Sequence, residues 1–221
     1  MRPGPPLSLK PQDICVLLKI VALERSPWSY SQLAYELGMS ASEVHAGVKR
    51  ATEASLMRLE EGWGTPDPDA LEELLIHGVR SVFTPVHGRL TQGMPTSYAA
   101  PPLSRVLTRP QEPPPVWPDA EGEVRGYEFS PLYKSMPYAA RRDAKLYELL
   151  ALVDAIRGGA ESEREVAIRE LRARLGTQLG EPELALPARK APGSRGAASQ
   201  LKRGSHGQES RRLYRRRHRD S

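Results

Sequence analysis

The chain has one cysteine, Cys15, in 221 residues. An internal disulfide is excluded, and a reducing compartment fits. No apolar run approaches the ~18 residues that a membrane-spanning helix needs. The opening stretch, MRPGPPLSLKP, has no apolar core of the kind a secretion signal carries. The expectation is a cytoplasmic protein without a membrane partner. Also missing are a phosphate-cradling glycine loop, a nucleophile elbow and any paired catalytic signature. His77 and His87 stand isolated, with no second ligand at metal-binding spacing. Catalysis, a cofactor and a bound metal are therefore not expected. Cys15 itself, inside an apolar helical pattern, reads as a small buried residue.

Acid is scarce at one end of the chain. Residues 187–221 hold 11 basic and 2 acidic side chains, a net charge of +9, while residues 1–186 carry −4. The total of +5 thus describes neither part. A nucleic-acid surface on the body would have to be a local patch rather than a global field. Hydrophobic residues, at 39%, still suffice for a packed core.

Residues 1–8 read as a disordered lead. From Pro11, a residue suited to a first helical turn, the apolar positions Ile14, Leu17, Leu18, Val21 and Ala22 fall at helical spacing. Pro27 prevents that helix from continuing. Ser29 with Gln32, and Ser40 with Glu43, each match a capping box, and Gly38 between them suits a left-handed helix end. Two helices joined by Gly38-Met39-Ser40 are too tightly linked to lie antiparallel, so they must cross steeply, as in a helix-turn-helix. A fourth helix is expected over DALEELLIHG, ended by Gly78. A β-hairpin is expected within 79–100, with His87-Gly88 at its turn. Residues 101–118 carry seven prolines and read as an extended connector. Beyond it, two short strands flank Glu121-Gly122-Glu123. A strong helix follows, capped by Asp143, striped by Leu146, Leu149, Leu150, Val153 and Ile156, and stopped at Gly158. A last helix shows Ala167, Ile168, Leu171 and Leu175 on one face. From about Pro187 the chain has too little apolar content to fold alone.

The small Ala34 in the first helix, Gly38 in the turn and Val44 in the second resemble the pattern of bacterial helix-turn-helix regulators, over about residues 29–52. With a helix before and a hairpin after, the segment resembles winged-helix regulators of the MarR-like kind, although residues 57–79 intervene before the expected hairpin. The fold class this implies is mainly α: a winged-helix-like N-terminal domain over 9–100, a small α+β unit over 119–180, and a disordered basic tail over 187–221. The resemblance implies sequence-specific binding of double-stranded DNA, with residues 41–52 as the recognition helix in the major groove and the hairpin as wing. Ser42, His45, Ala46 and Lys49 then face outward. Ser42 and Lys49 can hydrogen-bond bases and Ala46 can touch a thymine methyl, while Arg50, Tyr30 and Ser31 suit phosphates. Arg80, His87 and Arg89 bracket the expected wing, where arginine suits phosphates or the minor groove.

In the tail, Arg211, Arg212, Arg215, Arg216, Arg217 and Arg219 can bind nucleic acid through counterion release, with Tyr214 able to stack on a base. Two further partners stay open. The 146–175 helices could form a homodimer, the usual habit of the regulators this chain resembles. They could instead bind another protein, as in an antitoxin-like or adaptor module.

Overall fold

Two helices have hardly any polar face, and the rest of the body is built around them. The computed structural model describes residues 8–60, 63–107 and 113–179. Helix α1 (Pro11–Ala22) is buried from Asp13 onward, and α7 (Ala144–Gly158) buries Leu146 and the whole run Leu149–Arg157. Such helices, apolar nearly all round, belong at a centre. Around them lie α2 (Tyr30–Leu37), α3 (Ala41–Glu53), α4 (Pro68–Glu73), α5 (Val79–Val82), α6 (Met136–Arg142) and α8 (Glu161–Leu179). The α8 face Ala167, Leu171 and Leu175 is buried and packs on α7.

The strands form two small groups. β1 (Met57–Glu60) and β2 (Trp63–Pro66) are an antiparallel hairpin directly after α3. β3 (His87–Pro95) pairs antiparallel with both β4 (Pro115–Pro118) and β5 (Val124–Phe129), and β4 pairs parallel with β5, closing a three-stranded barrel. The architecture is mixed, largely helical with these small sheets.

Several expectations are corrected. The hairpin is not within 79–100. Val79–Val82 continues a helical run, and β3 pairs with β4, at the end of the proline-rich stretch, and with β5 beyond it. Gly78 does not stop the fourth helix. A π-helical turn, Leu74–Gly78, carries it into α5. The two strands flanking Glu121-Gly122-Glu123 exist, but they run parallel to each other, and each pairs antiparallel with β3 instead of forming a hairpin together. Residues 101–118 are not a free connector, because Leu103, Val116 and Trp117 are buried. Consequently 9–100 and 119–180 do not have separate cores. Residues of both share one hydrophobic cluster within the unit 1–182. The apolar stripes of the 146–175 helices are consumed in that cluster, which removes the basis on which they were expected to hold a homodimer or a protein partner. The expected disordered tail, including the six arginines named at 211–219, and residues 1–7 of the lead lie outside the described residues. Among the described residues no helix is long and apolar enough to cross a membrane.

A buried polar network joins the barrel to α7. Asp154 accepts from Thr96 Oγ1 at 2.7 Å, Trp117 Nε1 at 2.6 Å and Arg157 Nη1 at 2.5 Å. Arg157 also donates Nε to the Phe83 carbonyl at 2.8 Å and stacks over Phe129. Burial pushes the Asp154 carboxyl above its ordinary value, against the opposing pull of Arg157, Thr96 and Trp117. The cluster thus ties β3, β4 and the end of α5 to one turn of the central helix.

Candidate nucleic-acid interface

The α2–α3 unit follows its local signals closely. Ser29 Oγ accepts the Gln32 N–H at 3.2 Å to start α2. Gly38 ends it at φ 63°, the left-handed region that a Cβ disfavours. At α3 the box is complete: the Glu43 N–H donates to Ser40 Oγ at 3.2 Å, and the Ser40 N–H donates to Glu43 Oε2 at 2.9 Å. The Ser29 box is only half made, because Gln32 Nε2 donates instead to Glu36 Oε1 at 3.0 Å.

On α3 the inner face is Val44, Gly47, Val48, Arg50 and Ala51. Ser42, His45 and Lys49 are exposed and Ala46 is half-buried. Ser31 is exposed on α2, and the half-buried Tyr30 sets its ring 5.1 Å from that of His45. Tyr30, His45 and Lys49 line a groove of about 300 Å³ whose far wall is Leu59 of β1. Beside Leu59 stands Arg58, its side chain 80% exposed, paired with Asp67 at 2.5 Å. The hairpin is held in place by Trp28, which is buried and donates Nε1 to the Gly64 carbonyl at 2.9 Å.

One predicted contact residue is overturned. Arg50 is buried and forks onto Asp13 of α1, with Nε to Oδ2 at 2.6 Å and Nη2 to Oδ1 at 2.5 Å. Asp13 is wholly buried and also accepts the Lys10 N–H at 2.8 Å. Gly47 makes the approach possible, since a Cβ there would lie 3.1 Å from Asp13 Oδ1. Arg50 therefore fastens α3 to α1 and is not turned toward a phosphate. Arg80 and Arg89 do not join the site as expected either. Arg80 is on α5, 3.9 Å from Glu161 of α8, and Arg89 is exposed on the barrel strand β3. Neither belongs to the hairpin that follows α3. His87 packs edge-on against Phe129 in the barrel wall. Arg211, Arg212, Arg215, Arg216, Arg217 and Arg219 lie outside the described residues. Among the described residues no cluster of three His, Cys, Asp or Glu could hold a metal ion.

Residues absent from the sequence reading complete the surroundings. Tyr133 Oη donates to Glu43 Oε1 at 2.7 Å, and Ser135 Oγ donates to the Leu37 carbonyl at 2.6 Å. The side chains of Ser135 and Tyr138 close over Gly38. Nothing local announces these contacts, which join positions about ninety residues or more apart. The short β1 and β2 likewise leave too brief an alternation to be read as strands.

The Ser40 N–H, the Tyr133 hydroxyl and the Ser40 hydroxyl hold the Glu43 carboxyl down at about 2. An unfolded glutamate titrates near about 4.3. The folded value is the lower one, so this contribution to stability is complete above the unfolded value and is lost as pH falls toward the folded one. Glu43→Gln is expected to be less stable than the parent at about pH 6, with the gap closing between about pH 4.5 and pH 2. Urea unfolding followed across that range checks this. A gap independent of pH would show that the charge of Glu43 is not what caps α3.

Comparison with known protein families, curated proteins and solved structures yields no match for this chain.

Proposed function

We propose that the chain is a sequence-specific binder of double-stranded DNA, a transcriptional regulator of winged-helix type that performs no catalysis. The observation that carries this reading is the order α1–α2–α3–hairpin, with Ser42, His45 and Lys49 exposed along α3 beside the β1–β2 hairpin. In this reading α3 enters the major groove, where its outward side chains reach base edges. Lys49 donates to a guanine edge, Ser42 hydrogen-bonds a base, and Ala46 touches a thymine methyl. His45, its ring tilted against that of Tyr30, lies beside them. The wing is β1–β2, and Arg58 takes the role first given to Arg80 and Arg89. Ser31 and Tyr30 of α2 approach phosphates. The arginine-rich tail adds a sequence-independent attraction.

The test is selection from a random duplex pool, on the full chain and on residues 1–186, followed by binding of the selected duplex. Lys49→Ala is expected to weaken that binding by ~1–3 kcal/mol and to relax preference at one base pair. Unchanged affinity and preference, with helical content intact, would exclude this docking. The rival reading, an antitoxin-like or adaptor module working through residues 146–175, has lost its main support, since those apolar faces are already buried within the body.

A further inference from the structure

Resting on the DNA-binding reading, we propose that Lys134, 85 positions after Lys49 and outside the three-helix unit and its hairpin, is a phosphate-contacting residue of the same interface. The α3 surface is poor in positive charge. Of its two cations, Arg50 is buried on Asp13 and only Lys49 is exposed. At its N-terminal end α3 also carries Glu43, a carboxylate that repels a phosphate backbone. A helix pressed into a polyanion needs cations on its flanks, because phosphate contacts set register and supply most of the salt-dependent attraction.

The segment around Lys134 is bolted to both sides of the α2–α3 turn. Tyr133, the residue before it, donates to Glu43 at 2.7 Å, and Ser135, the residue after it, donates to the last carbonyl of α2 at 2.6 Å. Tyr138 and Ser135 fill the space over Gly38. Lys134 is thereby held beside the first turn of α3 while remaining exposed. Its Nζ lies 6.0 Å from the Tyr133 ring centroid, and its charge acts on Glu43. It thus places a positive charge next to the one acidic group at the leading end of the helix. A lysine so placed offsets Glu43 and reaches the phosphate strand that flanks a groove-bound α3. Tyr133 and Ser135 act as positioning residues for it.

The experiment measures affinity of the full chain for a selected duplex of about 25 base pairs, by fluorescence anisotropy across a salt series, for the parent, Lys134→Ala and Lys134→Arg. Loss of one phosphate contact lowers the salt slope by about 0.9 and weakens binding roughly five-fold near physiological salt. Lys134→Ala is expected to show both changes with unaltered sequence preference, and Lys134→Arg is expected to restore the slope. Because the side chain is exposed, circular dichroism and melting should confirm that both variants fold. A parental slope in Lys134→Ala would overturn the inference. So would a variant that loses stability alone, since Lys134 would then serve only to neutralise Glu43. A parent chain that binds no duplex at all overturns the DNA reading itself, and this inference with it.

Discussion

Replacing Arg50 with alanine is expected to destabilise the protein by about 3–5 kcal/mol. Asp13 is fully buried and Arg50 nearly so, and two charge-assisted bonds join them. Removing the guanidinium leaves a carboxylate in the core between α1 and α3 with one remaining backbone donor, Lys10. An uncompensated buried charge costs several kcal/mol, a large share of the 5–15 kcal/mol that typically separates folded from unfolded. The pair as such is not expected to be a net source of stability, because burying two charges costs about as much as their attraction returns. The double variant Asp13→Leu/Arg50→Met should therefore recover most of the loss. Urea midpoints of the parent, the single and the double variants check both statements. If Arg50→Ala costs under ~1 kcal/mol, the pair is not buried in solution, and the side chain is available for a phosphate after all.

Asp154→Ala is the second large effect. Three donors converge on that carboxylate from β4, α7 and the residue after β3. Alanine leaves Arg157 charged at 5% exposure, along with an indole N–H and a threonine hydroxyl that lose their acceptor. Each orphaned buried group costs ~1–3 kcal/mol, more for the charged one. A total loss of about 3–5 kcal/mol follows, or roughly 10 °C in melting temperature for a protein of this size. Asp154→Asn keeps an acceptor and removes the charge, so it should fall between parent and alanine. Equal melting of alanine and parent would show that the network is not what joins the barrel to α7.

These two residues mark where sequence reasoning ends. Arg50 sits one position after Lys49, and composition cannot tell them apart. The rotation of α3 against α1 turns one inward and the other outward, and that rotation depends on Gly47 and Asp13, the latter 37 positions away from Arg50. Asp154 and Arg157 do leave a trace, as charges inside the apolar run LALVDAIRGG. Their partners come from Thr96, Trp117 and Phe83, and none of those pairings has a local signature. The hairpin expected within 79–100 is absent for a related reason. β3 has good strand composition, and a local reading supplies the nearest partner. Its real partners are β4, at the end of 101–118, and β5 beyond it; loop closure costs only slowly more with length, and the burial of Trp117 and Val116 favours pairing.

By itself the sequence determined the ends of several helices. Ser29, Gly38, Ser40 with Glu43, and Asp143 each satisfy or terminate backbone groups within four residues, so their effect is local. It also determined which helices are buried, through runs such as Ile14–Ala22 and Leu149–Ile156. The tertiary structure alone decided which hairpin follows α3, which arginine serves the core, and that Tyr133–Ser135 braces the α2–α3 turn. Those outcomes depend on burial of charge and pairing of strands between segments distant in the chain. Their free energy comes from partners that no local pattern encodes.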